Sequence, residues 1–342
     1  MKVGVLSGGG DAPGINAVIR AVVRKGIVHY GFEMVGIRDG WRGLLENQTF
    51  PLTLESISGI LPKGGSILGT SRTNPFKRKN GPQKIFRNVE RLGLDAVVVI
   101  GGDDTLTVAY KLYEKGLSCV GVPKTIDNDL WGTDYTFGFN TAVSIATEAL
   151  DRLHSTAEAH HRVIIVEVMG RHAGWIALEA GIAGGADAIL IPEIPFDIDE
   201  VCKYIKARRE RGITFSIIVV AEGAKPKGGK EIVYSKKVDE FGHIKLGGVG
   251  YYVAKEIEKR TGIETRVVVL GHLQRGGSPS AFDRVLATRY GVAAIDLVKK
   301  KKFGRMVALK GNKIVSVPLR EVVSRRKTAD LKLYELASVF FG

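Results

Sequence analysis

The densest polar cluster in the sequence is Lys124-Thr125-Ile126-Asp127-Asn128-Asp129, directly after the apolar run Val120 to Val122. One carboxylate there could take a proton from an attacking hydroxyl, a second could assist a metal, and Lys124 could bind a phosphate group. A structural turn needs less polarity than this. Ser7-Gly8-Gly9-Gly10-Asp11-Ala12-Pro13-Gly14 lies between a strand pattern and a helix pattern, where free N–H groups and the helix dipole favour an anion. Read alone, it serves a tight turn as well as a phosphate. It lacks the Lys-Ser/Thr ending of a P-loop and is not GxGxxG, which disfavours both of those nucleotide-binding families. Asp103 and Asp104 follow Gly101-Gly102; adjacent carboxylates can hold Mg²⁺ and leave positions open for phosphate. An exposed turn with a helix cap is the commoner use of such a pair.

Arg72, Arg162, Arg171, Arg266 and Arg275 each fall in or near a loop at a strand end or, for Arg72, after the Gly64-Gly65 turn. The guanidinium fork makes paired, charge-assisted hydrogen bonds to phosphate. Their joint placement beside glycine-rich loops fits a substrate carrying several phosphates. His160-His161 has no Cys or carboxylate at zinc-ligand spacing, whereas His272 belongs to the polar loop Gly271-His272-Leu273-Gln274-Arg275-Gly276-Gly277.

The elements that must position these groups are βα units. Val3 to Leu6 reads as a buried strand, and Ile15, Val18, Ile19, Val22, Val23 and Ile27 then repeat at helical spacing. The pattern returns at Ala96 to Ile100, Val120 to Val122, Val163 to Val168, Ala188 to Ile191, Ile217 to Ala221 and Val267 to Leu270, which predicts parallel sheet. Ligands of such sheets bind outside the carboxyl ends of the strands, where every cluster above lies. Lys225 to Leu246 breaks the pattern and reads as an exposed excursion or hairpin without obvious chemistry. Lys310-Gly311-Asn312-Lys313 predicts a late hairpin.

At 342 residues, and with roughly 150 residues per domain, two domains are expected. The 50 Lys and Arg against 36 Asp and Glu leave a net charge of +14, so the surface attracts anions. The basic runs Lys77 to Lys79, Lys299 to Lys302 and Arg325-Arg326-Lys327 carry little aromatic interleaving; they read as solvated surface and not as a nucleic-acid platform. Cys119 and Cys202 form no CxxC pair, which fits a reducing cytoplasm and two small buried hydrophobes. No apolar run approaches the roughly 18 residues of a membrane span, and the first residues are too short for a signal peptide. A cytoplasmic protein without a membrane partner is expected. A dinucleotide-dependent oxidoreductase lacks its GxGxxG here.

Together the loops resemble the phosphofructokinase family from Met1 to about Gly304. The resemblance rests on Gly9-Gly10-Asp11-Ala12-Pro13-Gly14-Ile15-Asn16, Gly101-Gly102-Asp103, Thr125 to Asp129, Val168 to Arg171, Ala221-Glu222-Gly223 and Leu270 to Gly277, in the family's order and spacing. It implies transfer of a phosphoryl group to the 1-hydroxyl of fructose 6-phosphate, with Mg²⁺ as cofactor. Asp127 matches the base, with Thr125 and Asp129 orienting substrate and metal, and Asp103 matches the Mg²⁺ carboxylate. Gly10 matches the contact to the donor phosphate, while Arg72 and Arg171 match arginines that neutralise charge on the transferred group. Met169, Gly170, Glu222, His272 and Arg275 match the sugar-phosphate pocket. Arg162 and Arg266 match arginines contributed to a neighbouring subunit's site, which implies a homodimer or homotetramer.

Relatives that use ATP have glycine where this chain has Asp104 and Lys124. Both changes look like those of the pyrophosphate-dependent branch, so pyrophosphate is the expected donor and ATP the alternative. Where allosteric relatives bind a nucleotide effector, this chain has Leu54, Gly59 and His154, although Arg20 and Arg24 remain; weak or absent nucleotide regulation is expected. The implied architecture is α/β, two Rossmann-like three-layer α/β/α domains with the active site in the cleft between them. The donor-binding domain would comprise residues 1–138 with 274–325, and the sugar-phosphate domain 139–273 with 326–342.

Overall fold

The apolar runs become the strands of two sheets in a computed structural model, which describes residues 1–229, 232–238, 240–242 and 244–342. The chain begins β1 (Lys2–Ser7), α1 (Ile15–Tyr30), β2 (Glu33–Ile37), α2 (Trp41–Glu46), β3 (Thr49–Pro51), α3 (Gly81–Leu92), β4 (Ala96–Gly101), α4 (Asp103–Tyr113) and β5 (Cys119–Pro123). It continues through α5 (Phe139–His160), β6 (Val163–Val168), α6 (Trp175–Ala183), β7 (Ala188–Leu190), α7 (Ile198–Glu210) and β8 (Ser216–Ala221). Next come β9 (Val233–Val238), β10 (Ile244–Leu246), α8 (Val249–Thr261), β11 (Thr265–Val269) and α9 (Ala281–Lys299). The last elements are β12 (Arg305–Lys310), β13 (Lys313–Pro318), α10 (Leu319–Ser324) and α11 (Leu331–Ser338).

The first sheet has seven strands in the order β13-β12-β5-β4-β1-β2-β3, and the second has four in the order β11-β6-β8-β7. Pairing is parallel throughout the second sheet and antiparallel at the two edges of the first. The central strands of both sheets are buried on two faces, because alternate residues feed different cores. Val98 and Ile100 pack with α1 and α9, while Val97 and Val99 pack with α3 and α4. In the second sheet Ile164 and Val166 pack with α5 and α6, and Val163 and Ile165 with α7 and α8. Each such side chain contributes about 1.5–3 kcal/mol by leaving water. Both units are therefore three-layer α/β/α sandwiches.

Strand order reverses between β1 and β4, so the loops after them diverge and open a crevice at their carboxyl ends. Asp103 and Asp104 prove to be the first residues of α4, capped by Gly102, where the sequence read a loop. The expected late hairpin is β12–β13. Within Lys225 to Leu246, β9 and β10 pair antiparallel; Lys230, Glu231, Asp239 and His243 lie outside the described residues. Cys119 and Cys202 are buried and free. Among the described residues, no helix is long and apolar enough to cross a membrane.

Helices α5 and α9 are joined by a fully buried carboxylate: Asp283 Oδ2 accepts from Thr141 N (2.8 Å) and Thr141 Oγ1 (2.6 Å). Burial pushes this carboxyl above its ordinary 3.8, so the native state holds the proton more tightly than the unfolded chain. That share of stability is present below the ordinary value and is lost as pH rises through the raised one. Asp283→Asn keeps an acceptor for Thr141 without the charge. It is expected to gain stability relative to wild type as pH rises, read as the difference in urea midpoints at about pH 4 and about pH 8; a difference that stays constant would refute the linkage.

Candidate active site

A cleft of about 340 Å³ lies where strand ends of the two sheets face each other. The first sheet supplies Gly9 and Gly10 after β1, Gly102 to Thr105 after β4, and Lys124 to Asp129 after β5. The second supplies Met169, Arg171 and His172 after β6, Glu222 after β8, and His272 and Arg275 in a single 3-10 turn after β11. Gln274, fully buried, ties that turn to the β6 loop by accepting from Met169 N at 3.3 Å.

At one end, the glycine loop is held from several sides. Gly8 N donates to Ile100 O (3.0 Å), and Gly9 N to Ser71 O (3.0 Å), beside Arg72. Lys124 Nζ donates to Gly10 O, and Arg275 donates to Asp11 O (3.1 Å). Gly9 has φ 84°, open chiefly to glycine, and a Cβ on Gly10 would stand 2.7 Å from the Arg275 guanidinium. Burial, and then the Arg275 charge, pulls the Lys124 ammonium down to about 7. An arriving anion favours the charged form and raises it again.

At the centre, Asn128 sits at φ 51° and its Oδ1 accepts from Thr136 N (3.0 Å), while Thr136 Oγ1 donates to Thr125 O (2.7 Å). This fixes the loop that carries Asp127. Among the described residues, buried Asp127 Oδ1 accepts no hydrogen bond. Burial raises the Asp127 carboxyl, against the pull of Arg275, Arg171 and Lys124. Asp129 is raised by burial and by Asp127, and Glu222 is pushed up to about 7 by burial, with Asp127 adding. The cleft thus holds a proton acceptor among fixed cations, with space for polyanions.

Of the residues assigned catalytic, donor, substrate or metal roles from sequence, all line this cleft except Gly170, Arg162 and Arg266. Gly170 lies in the β6 loop, where its carbonyl accepts from Gly223 N at 3.1 Å. Arg162 and Arg266 both pair with Glu264 at the edge of the second sheet. His161 caps α5 at φ 53° and bonds Thr214 (2.6 Å), and no group of three or more His, Cys, Asp or Glu among the described residues could hold a metal.

Two expectations need correction. Arg325-Arg326-Lys327 is more than solvated surface: Arg325 and Arg326 are exposed, yet each side chain is engaged. Arg326 lines the cleft and pairs with Asp103 (2.9 Å) and Asp129 (3.7 Å). Arg325 stacks 3.6 Å over Trp131, and Lys327 donates from its backbone to Asp129 O (2.9 Å) and from Nζ to Asp134 O (2.7 Å). The 225–246 excursion also reaches the site, because Phe241 and Leu246 line the cleft and Glu240 accepts from Asn74 N at 2.9 Å. The missed His172 directly follows the noted Arg171, a signal by adjacency that Arg326, Phe241 and Leu246 lack.

Strand-end loops from a mixed and a parallel sheet, closing on buried carboxylates and fixed cations, define an α/β protein built to hold phosphorylated ligands. The phosphofructokinase family profile matches residues 2–298, and the chain belongs to this family. It is 60% identical to the pyrophosphate–fructose 6-phosphate 1-phosphotransferase of Streptomyces coelicolor, over 100% of both chains. It is 52% identical to the ATP-dependent 6-phosphofructokinase of Mycobacterium tuberculosis, again over 100% of both. The crystal structure of Pichia pastoris phosphofructokinase in the T-state matches with a TM-score of 0.84 at 34% identity, covering 99% of this chain and 38% of that one.

Proposed function

We propose that this protein transfers a phosphoryl group from pyrophosphate to the 1-hydroxyl of fructose 6-phosphate, giving fructose 1,6-bisphosphate, phosphate and a proton. The carrying observation is that Asp104 and buried Lys124 line the cleft beside Gly9 and Gly10. Asp104 brings negative charge where a longer polyphosphate would need more room, and Lys124 brings a cation suited to a diphosphate. The 60% identity to a relative named for pyrophosphate, against 52% to one named for ATP, supports the same donor.

In this reading Asp127 takes the proton of the 1-hydroxyl, with Thr125 and Asp129 orienting substrate and metal. Arg72 and Arg171 neutralise charge developing on the transferred group. Met169, Gly170, Glu222, His272 and Arg275 hold the sugar phosphate, and Gly10 meets the donor. The donor set fits Mg²⁺, which uses one or two carboxylates and completes its shell with water and phosphate oxygens; Asp103, with Asp129 near the same guanidinium, offers that arrangement. When bound, the ion neutralises phosphate charge. Arg162 and Arg266 stand outside their own chain's cleft, which supports their donation to a neighbour in a homodimer or homotetramer. Residues 1–138 with 274–325 form the donor half, and 139–273 with 326–342 the sugar half, of a cytoplasmic enzyme.

The test is initial rate with fructose 6-phosphate and Mg²⁺, comparing pyrophosphate, ATP and polyphosphate. The expected kcat/KM for pyrophosphate exceeds that for ATP by about a hundredfold, roughly 2.7 kcal/mol, with a hyperbolic sugar curve that ADP leaves unchanged. A preference for ATP overturns the donor and spares the acceptor; inactivity with every donor overturns the acceptor.

A further inference from the structure

We propose that Arg326 is the resident counter-cation of the Asp103–Asp129 pair, and that it releases these carboxylates to a divalent cation only as it takes hold of the diphosphate. The inference rests on the pyrophosphate reading above and adds an order to it: cation and donor bind as one event.

The grip is uneven. Arg326 NH2 lies 2.9 Å from Asp103 Oδ2, a charge-assisted hydrogen bond, whereas its Nε lies 3.7 Å from Asp129 Oδ2, beyond hydrogen-bond reach. One guanidinium therefore compensates two carboxylates while satisfying only one of them well. Its side chain is 34% exposed, and it lines the cleft, so the head can turn toward a ligand. The backbone cannot follow, because both neighbours are pinned: Arg325 stacks on Trp131, and Lys327 donates to the backbone carbonyl of Asp129. Arg326 is thus a tethered cation with a choice of anionic partners. Lys124 and Arg275 are differently placed, since each holds a carbonyl of the glycine loop.

A divalent cation arriving alone must displace the guanidinium from Asp103 and leave it without an anion. A cation arriving with diphosphate brings the replacement, and phosphate oxygens accept the paired bonds that the fork prefers. The two bindings are then coupled, and the coupling is reciprocal.

The test uses Mn²⁺, counted by electron paramagnetic resonance, and methylenediphosphonate, a diphosphate that cannot transfer its phosphoryl group. In wild type each is expected to tighten the other by about tenfold or more. In Arg326→Gln, Mn²⁺ alone should bind about tenfold tighter than in wild type and methylenediphosphonate about tenfold weaker, with the coupling reduced to what direct Mn²⁺–phosphonate contact supplies. Affinities that both stay unchanged, or that both weaken, overturn the proposal; the second is what a merely structural latch would give. Should Arg326→Gln fail to fold, Arg326→Lys decides, because one ammonium cannot span both carboxylates as the fork does. It should show the same opposed shifts at smaller amplitude, and no shift overturns the proposal. If wild type binds fructose 6-phosphate but not methylenediphosphonate, the donor reading itself fails, and this inference with it. That result is distinct from a wild type and variant that bind both alike.

Discussion

Asp127→Ser is expected to lower kcat by about three to four orders of magnitude while leaving the calorimetric affinity for fructose 6-phosphate within about threefold of wild type. The side chain has the free acceptor the chemistry needs, since buried Oδ1 accepts no hydrogen bond among the described residues. Sugar affinity should survive, because the proposed sugar-phosphate contacts come from the loops after β6, β8 and β11. The pH profile supplies a second readout. A base must be unprotonated, and burial holds Asp127 above its ordinary 3.8, so wild-type kcat/KM falls as pH drops through that raised value. The serine variant should lose that acid limb. Turnover near wild type would sink the assignment.

The double substitution Asp104→Gly with Lys124→Gly is expected to shift the ratio of kcat/KM for ATP to that for pyrophosphate by about a hundredfold toward ATP. Two like charges about 4 Å apart repel by about 4 kcal/mol at an effective dielectric of about 20, so removing Asp104 relieves a term of sufficient size. Removing Lys124 withdraws a cation from the diphosphate. It also frees the Gly10 carbonyl that Lys124 holds, so the pyrophosphate rate should fall even where the ATP rate does not rise. Each single variant should move the ratio part of the way. An unchanged ratio in the double variant would show that the donor is chosen elsewhere, and the cleft residues Phe241 and Arg326 would then be tested first.

Much of the site was legible because βα grammar is local. A β-branched run followed by glycines and polar groups announces both a strand and the loop at its carboxyl end, and the topology gathers such ends. That rule brings Gly10, Asp103 and Asp127 to one end of the first sheet and Met169, Glu222 and Arg275 to one end of the second; the packing of the two sheets makes those ends face each other. The boundary at Asp103 was missed because Gly101-Gly102 reads as loop, although two acidic residues in a first turn are favoured by the helix dipole. The engagement of Arg325-Arg326-Lys327 was not legible because a run of three cations has no period and resembles any solvated surface.

The sequence by itself determined most of the parallel strands, their strand-end loops, the likeness to a phosphotransferase family and the residue types that could move a phosphoryl group; β2 and β3 it did not announce. Only the tertiary structure decided which distant segments complete the cleft. Arg326 meets Asp103 across 223 positions of chain, and Glu240 meets Asn74 across 166. Local propensity and periodicity describe how a segment sits relative to its own neighbours. Contacts at such separation depend on how two sheets and a terminal strap pack together, and that information is spread over all the cores that hold them.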